Sequence, residues 1–223
     1  MDRQRHIRYF AHSLRSLPNA YTSLDTNRLT LVHFCVQSLD LLGVLNDDSL
    51  LKELAIDKRA IIEWIYSLQT LPTLQDSFSF AHHAGFKGGT FLGGAAPIYH
   101  QSTSDSNNTN QEEDTYDYQG WEYDHGHIAM TYTALESLIT LGDDLSRVNK
   151  PAIVGALRTL QQDDGSYRCI HVGSEHDMRF LYCACSISHM LGDFSGVNVD
   201  AAIQYVRDCR TYDGAISLIP GQE

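Results

Sequence analysis

The sequence predicts an all-α fold in which helix hairpins form a ring of two concentric layers. Three observations lead there. Apolar residues recur at helical spacing along most of the chain, and no segment shows the two-residue alternation of a strand. Segments that carry charge on one face alternate with segments that are apolar or small on most sides; the first kind suits an outer layer and the second an inner one. A short glycine turn returns behind the outer segments.

The expected helices are 3–16, 26–43, 57–70, 127–141, 149–162, 177–191 and 199–210. The outer kind comprises 3–16, 57–70, 149–162 and 199–210. The inner kind comprises 26–43, 127–141 and 177–191. Asp57 is placed to cap the helix that carries Ile61, Ile62, Trp64, Ile65 and Leu68. Ile128, Thr131, Tyr132, Leu135, Leu138 and Ile139 mark one face of the next inner helix. Asn149 is a candidate cap with Pro151 in the first turn, ahead of the stripe Ile153, Ala156, Leu157 and Leu160. The repeated turn reads Gln161-Gln162-Asp163-Asp164-Gly165-Ser166-Tyr167 and Arg210-Thr211-Tyr212-Asp213-Gly214-Ala215-Ile216, with a relative at Gly85–Phe91. The first two lie about 50 residues apart, the length of one helix pair with its loops. Residues 100–118 break the pattern. They are polar and acidic, lack Lys and Arg, and read as a disordered insertion.

Composition narrows the function. The 223 residues carry 16 Lys+Arg against 28 Asp+Glu, a formal charge of −12. That balance opposes nucleic-acid binding, which needs clustered cations against phosphate. It leaves room for a local basic pocket. No run reaches the roughly 20 apolar residues of a membrane span. The N-terminal residues lack a secretory apolar core, so a cytoplasmic protein is expected. Five cysteines, Cys35, Cys169, Cys183, Cys185 and Cys209, sit mostly in apolar runs and read as reduced thiols.

Chemistry-bearing residues are few. Arg179 is the one formal charge between Met178 and Met190. Glu175 precedes it by four residues, in the favourable order for a helical pair. From the residue types alone, a structural ion pair and a cavity-lining cation for an anionic ligand are both open. Asp124-His125-Gly126-His127 is a weak metal candidate, because histidines two apart do not share a helix face. Cys183 and Cys185 fail on the same ground. His82-His83 has no ligand-spacing partner. Asp143-Asp144 reads as a loop following a helix. No phosphate loop or nucleophile elbow is present.

Four stretches carry a family resemblance. They are Tyr21–Thr30 (YTSLDTNRLT), Ile61–Gln69 (IIEWIYSLQ), Gly126–Lys150 (GHIAMTYTALESLITLGDDLSRVNK) and Gly173–Cys183 (GSEHDMRFLYC). Here the sequence resembles the beta subunits of the protein prenyltransferases, those of geranylgeranyltransferase type I in particular. The resemblance covers most of 3–99 and 119–220. It implies an alpha–alpha toroid of the prenyltransferase and terpenoid-cyclase kind, and a heterodimer with a helical alpha subunit. It also implies transfer of a geranylgeranyl group from geranylgeranyl diphosphate to the cysteine of a C-terminal CaaX motif, usually ending in Leu, on proteins such as small GTPases. Zinc in this family holds the attacking thiolate.

Residue by residue, His127, Glu175 and Arg179 match a trio that holds a water on the terminal carboxylate of the peptide. Thr26, Thr30, Phe34 and Phe180 match residues lining the pockets for the last residues of the motif. Tyr182 matches an aromatic packed on the isoprenoid. Farnesyl enzymes carry Trp where this chain has Thr30, so a small residue there is expected to admit a longer lipid. The family's diphosphate-binding His, its GRxNK-type run and its DTCY-type zinc motif have no counterpart in 1–223. The resemblance therefore leads us to expect the N-terminal part of a single toroid, without its zinc ligands or catalytic residues, inactive alone and weakly stable. Two other readings stay open: a non-catalytic module that binds the alpha subunit or a CaaX tail, and a farnesyl or Rab-type beta subunit.

Overall fold

The computed structural model describes residues 2–71, 83–90, 125–171 and 173–222. The expected insertion at 100–118 lies outside them. Eight α-helices are described: α1 (Arg3–Arg15), α2 (Arg28–Leu41), α3 (Asp48–Glu53), α4 (Lys58–Tyr66), α5 (Ile128–Leu141), α6 (Lys150–Leu160), α7 (Met178–Leu191) and α8 (Val199–Asp208). Two small antiparallel pairs, β1 (Gln69–Thr70) with β2 (Gly85–Phe86) and β3 (Tyr167–Arg168) with β4 (His176–Asp177), join them.

The two-layer reading is borne out. α5 lies between α2 and α7, while α1 packs on α2, α4 on α5 and α6 on α7. The outer helices bury one stripe each, Ile7 and Ala11 in α1 and Ala202 and Tyr205 in α8. The central α5 buries nine of its fourteen residues, among them Met130, Ala134, Leu138 and Leu141, and leaves one stripe through Tyr132, Glu136 and Ile139 partly or fully exposed. A helix buried over most of its surface cannot carry charge cheaply, and the one acidic or basic residue among its fourteen, Glu136, lies on that stripe.

The caps agree with the sequence. Asp57 accepts from the Ala60 N–H at 3.1 Å and Asn149 from the Ala152 N–H at 3.2 Å. Inner helices α5 and α7 end on Gly142 and Gly192, both left-handed, the conformation in which a Cβ is costly. Asp143 and Asp144 are loop residues, as expected: Asp143 accepts from the Tyr66 hydroxyl at 2.5 Å and Asp144 from the Ser146 N–H at 2.9 Å. All five cysteines are free, and burial pushes the Cys35 thiol up to about 11 and the Cys183 thiol up to about 12. Such thiols stay protonated at neutral pH.

Two expectations need correction, and one helix is not anticipated. The helix expected at 26–43 starts as a 3₁₀ segment, Asn19–Asn27, and turns α-helical at Arg28. The helix expected at 57–70 stops at Tyr66, and Gln69 and Thr70 pair with β2 instead. The short α3 has no counterpart in the sequence reading; Asp47 caps it through Ser49 and Leu50.

The repeat has a structural basis beyond the glycine turn. Gln161 bridges Tyr167 and Arg210 bridges Ile216, with Gly165 and Gly214 at φ +89° and +87° between them. After α4 the same bridge pairs Gln69 with Phe86. Each glutamine then reaches the next outer helix. Gln69 Oε1 accepts from the Asn149 N–H at 2.9 Å, and Gln161 Oε1 accepts from the Asn198 N–H at 2.7 Å. Asn149 and Asn198 are the caps of α6 and α8. One side chain thus ties the end of α4 to the start of α6, and another the end of α6 to the start of α8.

Candidate functional site

The residues singled out from the sequence fall into two adjoining groups on the inner helices. The first gathers at the N-terminal ends of α5 and α7. His127 caps α5, with its Nδ1 accepting from the Ala129 N–H at 3.1 Å. A ring nitrogen that accepts carries no proton, so the neutral ring keeps its proton on Nε2. The environment favours that state. Burial, with His125 nearby, lowers the His127 pKa more than Glu175 raises it. Nε2–H is therefore a donor beside Glu175.

Arg179 stands in the first turn of α7. Its Nη2 donates to Asp177 Oδ2 at 2.6 Å and to Glu175 Oε2 at 2.8 Å, and its Nε donates to both Asp177 oxygens at 3.1 Å. Asp177 also caps α7 by accepting from the Arg179 N–H at 2.8 Å. Burial pushes the Asp177 carboxyl up, but the hydrogen bonds and charge of Arg179 outweigh it and hold the pKa below the usual range. The Arg179 side chain is 53% exposed and Asp177 only 7%. The cation is thus anchored on its protein side and open on the other. Its guanidinium lies 5.2 Å from the centroid of the buried Phe180 ring, which meets the His127 ring edge-on at 6.1 Å.

This arrangement offers two kinds of donor, a neutral imidazole N–H and a guanidinium, beside an acceptor, Glu175. Two carboxylates already offset the single positive charge. A third anion placed directly on Arg179 would gain little, whereas a water bridging to that anion can use donors and acceptor together.

The second group crosses the three inner helices. Thr30 Oγ1 donates to Met130 Sδ at 3.3 Å. Thr26 sits one turn earlier, where a Cβ on Gly88 would lie 1.9 Å from its carbonyl oxygen. Phe34 follows on α2 beside His33, whose ring is 6.0 Å from Tyr132, itself 5.6 Å from Tyr182 on α7. Phe34 and Tyr182 are 57% and 60% exposed. Large exposed aromatics on the least charged helices mark a surface for a ligand or a partner chain. Met130 lies on α5 three residues beyond His127, so the two groups share one face.

The structure thus brings together His127, Glu175, Arg179 and Phe180, and separately Thr26, Thr30, Phe34 and Tyr182. Sequence reasoning missed Asp177, the main partner of Arg179; its place two residues before the arginine, at the start of a helix, was the available signal. It also missed a convergence of His83, His125 and His171, for which sequence spacing carries no signal.

Fold and site define the class. The model of the prenyltransferase alpha-alpha toroid domain matches residues 1–223, and the chain belongs to that family. Over 222 residues it is 34% identical to the geranylgeranyl transferase type-1 subunit beta of Arabidopsis thaliana, covering all of this chain and 52% of the relative. It is 36% identical to the protein of that name in Dictyostelium discoideum, covering 59% of it, and 28% identical to the farnesyltransferase subunit beta of Arabidopsis thaliana, covering 36%. Candida albicans protein geranylgeranyltransferase-I complexed with GGPP has the same fold, with a TM-score of 0.71 at 17% identity over all of this chain and 55% of that one. The chain spans about half the length of the type-1 relatives it matches.

Proposed function

We propose that this chain forms the N-terminal part of the single toroid domain of a type I geranylgeranyltransferase beta subunit, working in the cytoplasm with a prenyltransferase alpha subunit. The substrates would be geranylgeranyl diphosphate and proteins ending in a CaaX motif. The observation that carries the reading is the full-chain identity of 34–36% to type-1 beta subunits, against 28% to a farnesyl one.

In this reading His127, Glu175 and Arg179 hold the water that meets the peptide carboxylate, with Asp177 positioning Arg179. Thr26, Thr30, Phe34 and Phe180 shape the pocket for the last peptide residues, and Tyr182 lies along the isoprenoid. The small Thr30 leaves room for the fourth isoprene unit. Zinc, where the family binds it, supplies the cation that keeps the substrate thiol ionised. No carboxylate, thiolate and imidazole set converges among the described residues, so no step is assigned to zinc here.

The test is lipid choice in a completed subunit, made by joining this chain to the C-terminal half of a type-1 relative and pairing it with the alpha subunit. Thr30→Trp is expected to move the preference from geranylgeranyl to farnesyl diphosphate by tenfold or more, the scale on which filling an apolar pocket discriminates. An unchanged preference would remove Thr30 from the lipid pocket. Failure to bind the alpha subunit would remove the subunit reading itself.

A further inference from the structure

We propose that His83, His125 and His171 form a site for one divalent transition-metal ion of the zinc class. One nitrogen from each ring lies within 4.8 Å of the others. The ring centroids are 4.1, 4.7 and 5.7 Å apart. With Zn–N bonds of about 2 Å and a centroid roughly 1 Å beyond each nitrogen, three imidazoles at tetrahedral angles place their centroids about 5 Å apart. The cluster already brackets that value, and small ring rotations close it.

The three residues come from three different loops: before β2, before α5 and after β3. Their backbones are set independently of any ion. The Gly126 N–H donates to the His83 carbonyl at 2.8 Å, and the Ile128 N–H donates to the Cys169 carbonyl at 3.0 Å. The rings are half-buried, and Nδ1 of both His83 and His171 is closed off from water. An all-imidazole set selects zinc, copper or nickel over calcium and magnesium, and leaves a fourth position for water. A bound ion would staple the three loops at the start of α5, next to His127. The inference rests on this geometry and does not depend on the proposed enzyme activity.

The experiment uses the untagged, metal-stripped chain. Titration with Co²⁺, followed by its visible absorption, and with Zn²⁺, followed calorimetrically, is expected to give one equivalent bound. His125→Asn and His171→Asn should each weaken binding at least tenfold. His6→Asn and His189→Asn, in exposed parts of α1 and α7, should leave it unchanged. A stoichiometry well below one, or binding that persists in His125→Asn, overturns the site. A measurement on the wild-type chain guards against misfolded variants: histidine acylation by diethyl pyrocarbonate, mapped by mass spectrometry. Zn²⁺ should slow acylation of His83, His125 and His171 at least tenfold relative to His6 and His12. Equal rates would likewise overturn the proposal.

Discussion

Gly88→Ala tests how the candidate site is held against its support. A Cβ at this position would sit 1.9 Å from the Thr26 carbonyl oxygen and 3.0 Å from its carbonyl carbon. Both are backbone atoms, so no side chain can swing away. Relief requires the segment at 87–89 to withdraw from the start of α2. That movement breaks the 2.8 Å hydrogen bond from the Leu29 N–H to the Gly88 carbonyl, at a residue that is fully buried. Overpacking costs about 1–3 kcal/mol, and a stranded buried donor adds about 1–3 kcal/mol. The sum, about 4 kcal/mol, lowers the melting temperature by roughly 8–16 °C for a chain of this size. Gly142→Ala is the control. Its φ of +91° is strained for alanine, but nothing lies within 4 Å of the new Cβ, so the cost is about 1–2 kcal/mol. Thermal unfolding followed by circular dichroism compares the two. A Gly88→Ala midpoint no lower than that of Gly142→Ala would refute the close approach of Gly88 to Thr26.

Asp177→Ala should cost about 1–2 kcal/mol in urea unfolding, because the N-cap of α7 is removed and Arg179 loses its nearest carboxylate. Glu175→Gln, at an exposed pair, should cost under about 1 kcal/mol; the reverse order would reassign the anchor of Arg179. Gln69→Ala and Gln161→Ala each remove a side chain bonded at two points to the cap, or the cap and its preceding loop, of the next outer helix. Each should cost about 1–3 kcal/mol, and the double variant should be additive within about 0.5 kcal/mol. Stability should also fall as pH drops below 6.5. Burial lowers the His33 pKa from its ordinary 6.5, against the opposing pull of Glu136, so below 6.5 the unfolded chain binds a proton that the folded chain does not. Ser137 and the rings of Phe34 and Tyr132 also face His33. His33→Gln should flatten that part of the pH profile, measured by urea midpoints between pH 5 and 7.5; an unchanged slope would assign it to other groups.

The parts of this fold that were legible in the sequence are those set by near neighbours. Asp57 and Asn149 declare their helices because a cap and its apolar stripe lie within a few residues. The inner character of α5 is visible because burial over most of its surface keeps charge out of nearly the whole segment. α3 was not legible, since a six-residue helix spans too few turns to show a period. The 3₁₀ start before α2 depends on Gly88 crossing from far along the chain. Asp177 is ordinary in sequence and becomes the anchor of Arg179 only once it is buried. The glutamine ties are silent for the same reason: Gln69 meets Asn149 across eighty residues.

The contact between Gly85 and Gly126 has a consequence for what this scaffold can accommodate. A Cβ on Gly126 would lie 2.6 Å from the Gly85 Cα, and the His127 N–H donates to the Phe86 carbonyl at 3.0 Å. The chain therefore passes position 86 and is back beside it by position 126, with the seam closed by backbone contacts and by the Thr131 hydroxyl, which accepts from the Phe86 N–H at 3.0 Å. A length change confined to the stretch between positions 90 and 125 leaves these contacts, and that of Gly88 with the start of α2, in place. Closing a loop of twice the length costs only about 0.6 kcal/mol more. This crossing is therefore a natural port: a fluorophore tag, a protease site or a shortened tether could be placed there without disturbing the register of α5 or the pose of His127.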